Sequence, residues 1–234
     1  MTGVLHGVGL GPGDPELMTL KAHRLIAAAE VIAYPAPAGG DSFARAIAAA
    51  AIPEGAEEIR IAIPMDLRRF PAQEIYDDAA AAISAHLDAG RDVVTLCEGD
   101  PFFYGSFMYL FSRLADRYRC EITPGVASLT ACAAAAAAPL CARNEVLTVI
   151  PGPLDEAALR ERLETAGAAA IMKVGRHLPK LRAVIDEMGL TDRATYVERA
   201  TLGSEKVAPL AEAPKTAPYF SMILIAGRDP YATR

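Results

Sequence analysis

Apolar and polar positions along this chain alternate in blocks that predict strands and helices in turn. Val31–Tyr34 and Val93–Cys97 are short apolar runs with the length of buried strands. Ile59, Ile61 and Ile63 alternate with other residues, which is the period of a half-buried strand. Longer segments rich in alanine and leucine separate the runs and favour helix. The order of strand and helix predicts an α/β fold.

The same pattern gives approximate bounds for the remaining elements. Further strands are predicted at Val4–Val8, Val146–Ile150, Ala169–Val174, Thr195–Glu198 and Tyr219–Ala226. Helices are predicted from Pro15 to Glu30, from Asp41 to Ala51, from Pro71 to Leu87, up to Leu114, before Pro139, from Asp155 to Thr165 and from Leu178 to Met188. We place a boundary near residues 119–124, which gives an N-terminal α/β domain over residues 1–120 and a C-terminal α/β domain over residues 121–234.

A glycine-rich stretch, Gly7–Leu17, runs from the end of the first predicted strand through a tight loop to the start of a helix. Its glycines allow positive φ and close approach of the backbone to a ligand. Asp14 is a suitable N-cap for the helix that we predict to begin at Pro15, and Glu16 suits the positive end of a helix dipole. A tight turn without a ligand is the alternative interpretation.

Two common nucleotide-binding motifs do not fit this loop. A dinucleotide-binding fingerprint needs a third glycine, but the pattern that begins at Gly7 meets Pro12 and the pattern that begins at Gly9 meets Asp14. A phosphate-binding P-loop fails as well, because no Gly-Lys-Ser/Thr follows.

Two more loops of similar character follow predicted strands. Glu98–Ser106 comes directly after the strand that ends at Cys97, and Pro124–Thr130 comes after Ile122. Ligands in open α/β sheets bind beyond the carboxyl ends of the strands. We therefore expect the three loops to form one site.

Composition and charge narrow the class of protein. The chain has 234 residues, of which 52% are hydrophobic and 22% charged, so it can bury a full core. A net charge of -6 argues against a nucleic-acid groove as the main function. No apolar run has the length of a membrane span, of roughly 18 residues, and no signal peptide is recognisable, so a cytoplasmic enzyme is expected.

Metal chemistry is not indicated by the cysteines and histidines. The four cysteines include no C-x-x-C pair, and the four histidines lack the spacing of a zinc motif. The sequence predicts no protein-bound metal and a set of buried, reduced cysteines.

Three motifs in order resemble the tetrapyrrole methyltransferase family. They are G-x-G-P-G-D-P-E-L-x-T-L-K-A at Gly9–Ala22, E-G-D-P-F-F-Y-G-S-F at Glu98–Phe107 and P-G-V-A-S at Pro124–Ser128. Glu98–Ser106, Met172–Leu178 and Tyr219–Ser221 further resemble the branch of the family that methylates precorrin-2 at carbon 20 in cobalamin biosynthesis.

The resemblance implies two α/β domains with an inter-domain cleft that holds S-adenosylmethionine, and a homodimer. It places the cofactor contacts at Pro12, Gly99, Asp100, Phe103, Ala127, Ser128, Thr130, Met172 and Ser221. Ala127 departs from the usual serine or threonine, so a side-chain hydrogen bond there must shift to Ser128 or Thr130. We expect Asp100 to contribute hydrogen bonds to the site and little to core packing.

The expected chemistry is positioning of a methyl donor and a carbon nucleophile with exclusion of water. Tyr104 is the best candidate for a pocket wall, and Glu98 and Asp14 are candidates for a general base. Because the substrate carries many carboxylates, cationic side chains should surround it. The candidates are Arg68, Arg69, Arg143, Lys173, Arg176 and His177. The alternative role for each of them is that of a solvated surface charge.

Other functions remain open at this stage. A cobalt-precorrin-2 methyltransferase or another tetrapyrrole methylase would keep the cofactor loops and change the substrate trough. A non-enzymatic metabolite-binding module would also explain glycine loops. A relative that acts on RNA is disfavoured by the acidic charge balance.

Overall fold

A computed structural model gives the fold and describes residues 2–64 and 73–227. The chain divides into two compact units, Met1–Ala127 and Ser128–Arg234. The predicted substrate residues Arg68 and Arg69, and the predicted helix start at Pro71, lie outside the described residues.

Strands and helices alternate along most of the chain. The strands are β1 (Leu5–Gly9), β2 (Val31–Pro37), β3 (Glu57–Ile63), β4 (Val93–Cys97), β5 (Cys120–Thr123), β6 (Leu147–Pro151), β7 (Ala168–Met172), β8 (Ala194–Glu198), β9 (Lys206–Pro209) and β10 (Ser221–Ile225). The α-helices are α1 (Leu20–Ala27), α2 (Phe43–Ala48), α3 (Gln73–Asp88), α4 (Phe107–Leu114), α5 (Ser128–Ala135), α6 (Glu156–Glu164) and α7 (Leu178–Glu187). Single 3-10 turns cover Pro15–Leu17, Gly175–His177, Thr191–Arg193 and Leu210–Glu212. The predicted α/β fold is confirmed.

The first unit is built on a parallel five-stranded sheet in the order β3-β2-β4-β1-β5. β1 lies between β4 and β5 and is buried along its whole length. Because neighbouring parallel strands end at the same edge, this order brings the loops after β1, β4 and β5 together. Two apolar clusters cover the sheet, one including α3 and α4 and the other including α1 and α2.

The second unit is built on a mixed five-stranded sheet in the order β6-β7-β10-β8-β9. β6 and β7 are parallel, whereas β10 is antiparallel to both β7 and β8. The end of β7, the start of β10 and the end of β8 therefore share one edge of the sheet, which we call the second-sheet edge. Ser221 lies directly opposite Glu198 there, and Met172 ends β7.

The division of the chain falls later than the boundary that the sequence suggested. β5 follows residue 119 but pairs in parallel with β1, with Leu5 opposite Cys120. Residues 120–127 thus belong to the first unit, because their strand completes the first sheet. The sequence did not predict β9, whose four residues include no long apolar run.

The predicted first helix from Pro15 to Glu30 is wrong as a continuous element. Asp14 does act as an N-cap, and its Oδ1 accepts a hydrogen bond from the Glu16 N–H at 2.9 Å, but it caps only the 3-10 turn. Thr19 then adopts an extended backbone and caps α1, accepting from the Ala22 N–H at 3.1 Å. A second N-cap interrupts the helix, since an extended residue cannot continue the helical hydrogen bonds.

Gly7 in β1 provides a test of the first unit's packing. We expect Gly7→Ala to lower the free energy of unfolding by about 1–3 kcal/mol, because over-packing a core has this effect. A Cβ at residue 7 would lie 2.5 Å from carbons of the buried Phe107 ring. Chemical denaturation measures the change. Gly40→Ala is the matched control, since its Cβ would meet only Pro37 at an ordinary 3.5 Å, and equal stability of the two variants would contradict the packing.

Candidate functional site

The loops after β1 and β4 are joined by two backbone hydrogen bonds. The Gly11 N–H donates to the Gly99 carbonyl at 3.2 Å, and the Gly99 N–H donates to the Gly11 carbonyl at 2.7 Å. This pair forms an isolated antiparallel bridge outside the sheet. The two loops are therefore fixed against each other at the carboxyl ends of their strands.

The loop after β5 packs directly onto this bridge. A Cβ on Gly125 would lie 2.1 Å from the Gly99 carbonyl oxygen, and a Cβ on Gly9 would lie 2.6 Å from the Gly125 nitrogen. Only glycine permits backbones to approach this closely. We call the contact of Gly9, Gly99 and Gly125 the three-glycine junction. It confirms the prediction that the three loops converge.

Gly99 differs from the other two glycines of the junction in what surrounds its α-carbon. Its φ is +64°, and a Cβ built there would meet nothing closer than the Val126 carbonyl oxygen at 4.0 Å. Gly9 and Gly125 are needed for packing, whereas Gly99 leaves bare backbone next to open space. That arrangement fits a ligand held against the loop backbone.

Asp100 connects the loops more than the sequence suggested. One carboxylate oxygen accepts from the Phe102 N–H at 2.9 Å, and the other accepts from the Gly125 N–H at 3.1 Å. The first bond closes a turn within the loop after β4, and the second ties that loop to the loop after β5. The Asp100 carboxylate therefore supports the loop structure, and its contact with a ligand stays a prediction.

The aromatic side chains after Asp100 divide into core and surface residues. Phe107 is buried in α4, whereas Phe102 and Tyr104 are exposed. Tyr104 has a left-handed φ of 56°, and its ring meets the ring of Phe103 edge to face at 5.2 Å between centroids. A left-handed conformation in a non-glycine residue costs energy and is often found at functional sites. The rings of Tyr104 and Phe103 pack against each other and thus form an aromatic surface in the loop that carries Gly99.

Glu98 and Asp14, the candidate bases, differ in environment. Burial raises the pKa of the Glu98 carboxyl above its ordinary value, although hydrogen bonds from backbone N–H groups, including that of Ala44, oppose the shift. A carboxylate with a raised pKa is a stronger base than an ordinary one. Asp14 instead caps the turn at Pro15–Leu17.

Pro12 lies half-buried between Gly11 and Gly13, both of which have positive φ.

The second-sheet edge brings together three residues that the sequence singled out. Met172 ends β7, and Ser221 begins the adjacent β10. The buried Ser221 hydroxyl donates to the Pro218 carbonyl at 2.7 Å. Lys173 follows Met172 with an exposed side chain and a left-handed φ of 57°.

Arg176 and His177 lie in the 3-10 turn that precedes α7. Arg176 Nε donates to His177 Nε2 at 3.4 Å. Burial lowers the pKa of His177, and the charges of Lys180 and Arg176 add to this effect, so the imidazole is neutral at pH 7. Arg176 therefore carries the positive charge of this pair.

The remaining predicted site residues lie elsewhere in their units. Ala127 is the last residue of the first unit, and Ser128 and Thr130 lie in the first turn of α5. Arg143 is exposed and precedes the start of β6, so it does not lie at the second-sheet edge. Within residues 2–64 and 73–227, no group of histidine, cysteine, aspartate and glutamate side chains is arranged to hold a metal.

A polar cluster at the end of β8 was missed by the sequence reasoning. Glu198 is buried, accepts a hydrogen bond from the Tyr196 hydroxyl at 2.6 Å and lies 3.1 Å from Lys206 Nζ. Its neighbour Arg199 has a left-handed φ of 50°. The available signal was a Glu-Arg pair directly after an apolar strand, which alone does not distinguish a surface charge from a buried one.

The fold and the glycine loops define a class of protein, and the comparisons identify its family. Residues 4–214 match the family described as Tetrapyrrole (Corrin/Porphyrin) Methylases, so the chain belongs to the tetrapyrrole methylase family. The predicted family and enzyme class, a methyltransferase, are both confirmed.

In the part of the chain that the structure describes, no helix is long and apolar enough to cross a membrane.

Individual members of the family are similar to this chain over nearly its whole length. The chain is 43% identical over 234 residues to a precorrin-2 C(20)-methyltransferase from Sinorhizobium sp, covering 96% of each chain. It is 31% identical to the cobalt-precorrin-2 C(20)-methyltransferase of Salmonella typhimurium, covering 99% of this chain and 100% of the relative. A solved uroporphyrin-III C-methyltransferase from Thermus thermophilus, complexed with S-adenosyl homocysteine, matches with a TM-score of 0.67 and 25% identity, covering 95% of this chain and 97% of that one.

The two hydrogen bonds of Asp100 lead to a stability prediction. Asp100→Ala leaves the Phe102 and Gly125 N–H groups without their acceptor, so we expect the free energy of unfolding to fall by about 1–3 kcal/mol. Asp100→Asn retains one carbonyl acceptor and should lose less. Denaturant titration of the three proteins gives both differences. An alanine variant as stable as the wild type would show that the loops do not depend on this carboxylate.

Proposed function

We propose that this protein transfers a methyl group from S-adenosylmethionine to carbon 20 of precorrin-2, giving precorrin-3A and S-adenosylhomocysteine in cobalamin biosynthesis. The observation that carries the proposal is the 43% identity with the Sinorhizobium precorrin-2 C(20)-methyltransferase over nearly the whole of both chains. The three-glycine junction supports it, because a loop backbone open at Gly99 suits a ligand that is held by backbone groups.

The cofactor contacts proposed for the first unit are Pro12, Gly99, Asp100, Phe103 and Ala127. Bound S-adenosylmethionine would supply an electrophilic sulfonium methyl group. Asp100 fixes the loop geometry from which Gly99 presents its backbone, and the edge-to-face pair of Phe103 and Tyr104 provides an apolar surface that excludes water. These residues would mainly position the reactants, which is the largest contribution that such chemistry needs from the protein.

The cofactor contacts proposed for the second unit are Ser128, Thr130, Met172 and Ser221. Met172 and Ser221 are neighbours at the second-sheet edge, which supports a shared role. We also propose that the enzyme acts as a cytoplasmic homodimer.

Positive side chains are proposed to hold the acetate and propionate groups of the macrocycle. Lys173 and Arg176 follow the end of β7 within five residues, so their charges lie near one edge of the sheet. Arginine and lysine bind carboxylates through charge-assisted hydrogen bonds. His177 would contribute as a neutral hydrogen-bonding group, and Arg143 would have to act from a different part of the unit.

Glu98 is the better candidate for the group that removes a proton during the reaction. Burial raises its pKa, which favours proton acceptance, whereas the carboxylate of Asp14 already caps a 3-10 turn. Tyr104 would form the wall that sets which macrocycle carbon faces the methyl group.

Cobalt-precorrin-2 is a second candidate substrate. The Salmonella typhimurium relative that is named for it aligns along almost all of this chain. Incubation of the protein with S-adenosylmethionine and either precorrin-2 or its cobalt form tests both candidates. Mass spectrometry counts the methyl groups, and carbon-13 NMR with a labelled methyl donor identifies the carbon. Transfer only to the cobalt form, or to a carbon other than 20, would overturn the proposal as stated.

The role of Glu98 predicts a pH dependence. Because its pKa is raised, the fraction of ionised base should increase as pH rises through that value, and kcat should rise with it. Glu98→Gln should lower kcat by about a hundredfold or more and remove this rising limb. Measurement of kcat against pH for both proteins tests the assignment. Asp14→Asn is the control, and a rising limb that survives in Glu98→Gln would exclude Glu98 as the base.

Tyr104 predicts an effect on positioning. Tyr104→Ala removes the ring that packs on Phe103, so we expect kcat to fall or methylation to become less selective, with S-adenosylmethionine affinity almost unchanged. A misplacement of about 1 Å can reduce a rate on the order of a hundredfold. Tyr104→Phe keeps the ring and serves as the control. Calorimetry gives the affinity and product NMR the selectivity, and normal kinetics in Tyr104→Ala would remove this residue from the site.

A further inference from the structure

The end of β8 holds a buried carboxylate with an unusual set of neighbours. Glu198 is 3% exposed and interacts with the Tyr196 hydroxyl at 2.6 Å and with Lys206 Nζ at 3.1 Å. Burial alone would raise the pKa of Glu198, but the hydrogen bonds from Tyr196 and Lys206 and the charges of Lys206 and Arg199 hold it below its ordinary value. Glu198 is therefore ionised at pH 7 and fixed in place.

Arg199 is fixed through its backbone at the second-sheet edge. Its N–H donates to the Phe220 carbonyl at 2.9 Å, and its carbonyl accepts from the Leu202 N–H at 3.0 Å. The loop continues with Thr201, whose N–H donates to a Glu205 carboxylate oxygen at 2.6 Å. Arg199 and Thr201 both have left-handed φ values, of 50° and 70°. Strained backbone of this kind persists only where its surroundings hold it.

The guanidinium of Arg199 is less fully neutralised than that of Arg45. Its Nη1 lies 3.8 Å from Glu198 Oε1, and the same oxygen lies closer to Lys206. Arg45, by comparison, makes two hydrogen bonds to Glu58 at 2.6 and 2.7 Å. In the described ranges, Glu198 is the one carboxylate within ion-pair distance of Arg199. The exposed guanidinium thus keeps donors for a further anion.

An exposed aromatic pair is joined to Arg199 through the backbone. Tyr219 and Phe220 are 72% and 41% exposed, and their rings meet edge to face at 5.1 Å between centroids. Phe220 continues the pairing of β10 with β8 at the position opposite Arg199, to whose N–H it is hydrogen-bonded. Large apolar side chains that contact each other and stay exposed are typical of binding surfaces.

We propose that Arg199, together with Tyr219 and Phe220, forms a substrate subsite that binds one carboxylate and the adjoining apolar face of a tetrapyrrole, and that Glu198 is its positioning residue. The guanidinium would bind an acetate or propionate group in a bidentate manner, and the rings would contact the flat macrocycle. The inference rests on the proposed function, since it takes the tetrapyrrole as the ligand. It adds an anchor on the other side of β10 from Lys173.

Steady-state kinetics with precorrin-2 test the subsite. Arg199→Ala should raise KM for precorrin-2 about tenfold or more, because it removes a charge-assisted hydrogen bond, while kcat and S-adenosylmethionine affinity stay within about twofold. Arg199→Lys should recover part of the loss, since lysine keeps the charge without the bidentate geometry. Arg162→Ala is the matched control, because it removes an exposed arginine in α6 of the same unit and should leave KM within about twofold.

A binding measurement separates this inference from the proposed function. Uroporphyrin III is a stable macrocycle with eight carboxylates, and its own fluorescence reports binding without turnover. We expect Arg199→Ala and Phe220→Ala each to weaken its binding, and Arg162→Ala to leave it unchanged. If the wild type does not methylate precorrin-2 but Arg199→Ala still weakens uroporphyrin III binding, the proposed reaction fails and the subsite stands. If Arg199→Ala has the same KM for precorrin-2 as the wild type, the subsite is overturned. If the protein shows no turnover, an unchanged affinity of Arg199→Ala for uroporphyrin III overturns it.

The role of Glu198 is tested by non-additivity. Glu198→Gln should raise KM for precorrin-2 by releasing Arg199, but it should have no further effect on KM when Arg199 is already alanine. A purely structural role would instead lower thermal stability and change KM equally in both backgrounds. Equal changes in KM would therefore overturn the assignment of Glu198 as a positioning residue.

Discussion

The contact among the backbones of Gly9, Gly99 and Gly125 is the constraint on which the candidate site in the first unit depends. These residues follow three different strands, and any side chain on Gly9 or Gly125 would overlap backbone atoms of the other loops. β1 therefore has to lie between β4 and β5, since only neighbouring parallel strands deliver their loops to one point. The loop after β4 that takes part in this contact also carries the open backbone of Gly99 and the exposed ring of Tyr104.

The second unit reaches a comparable result by different means. At the second-sheet edge, side-chain hydrogen bonds of Ser221 and Glu205 hold its loops. Lys173, Arg199 and Thr201 have left-handed backbone conformations there. A buried carboxylate, Glu198, organises two cations at the end of β8. The first unit thus offers open backbone at Gly99 and the aromatic pair of Phe103 and Tyr104, whereas the second offers charged side chains together with Tyr219 and Phe220. A cofactor held by backbone and a substrate rich in carboxylates would need both kinds of surface.

Strain and burial mark the groups that carry the proposed chemistry. Tyr104 keeps a conformation that a non-glycine residue seldom adopts, and Glu98 keeps a carboxyl whose pKa burial raises. Neither feature stabilises the fold by itself. Both are explained if the surrounding loops hold these side chains for positioning and proton transfer. The same argument extends to Arg199, whose backbone is bound on both sides while its guanidinium remains exposed.

The sequence by itself determined the α/β class, most strands and the convergence of three loops, because hydrophobic period and glycine position are local signals. It predicted one long first helix, since the extended backbone at Thr19 depends on a capping bond that spacing does not reveal. Only the tertiary structure showed that Asp100 joins two loops and that Glu198 is buried beside Lys206. Those facts depend on which distant residues become neighbours in the fold. The sequence is the same whether a carboxylate is surrounded by water or by hydrogen-bond donors, so it does not distinguish the two.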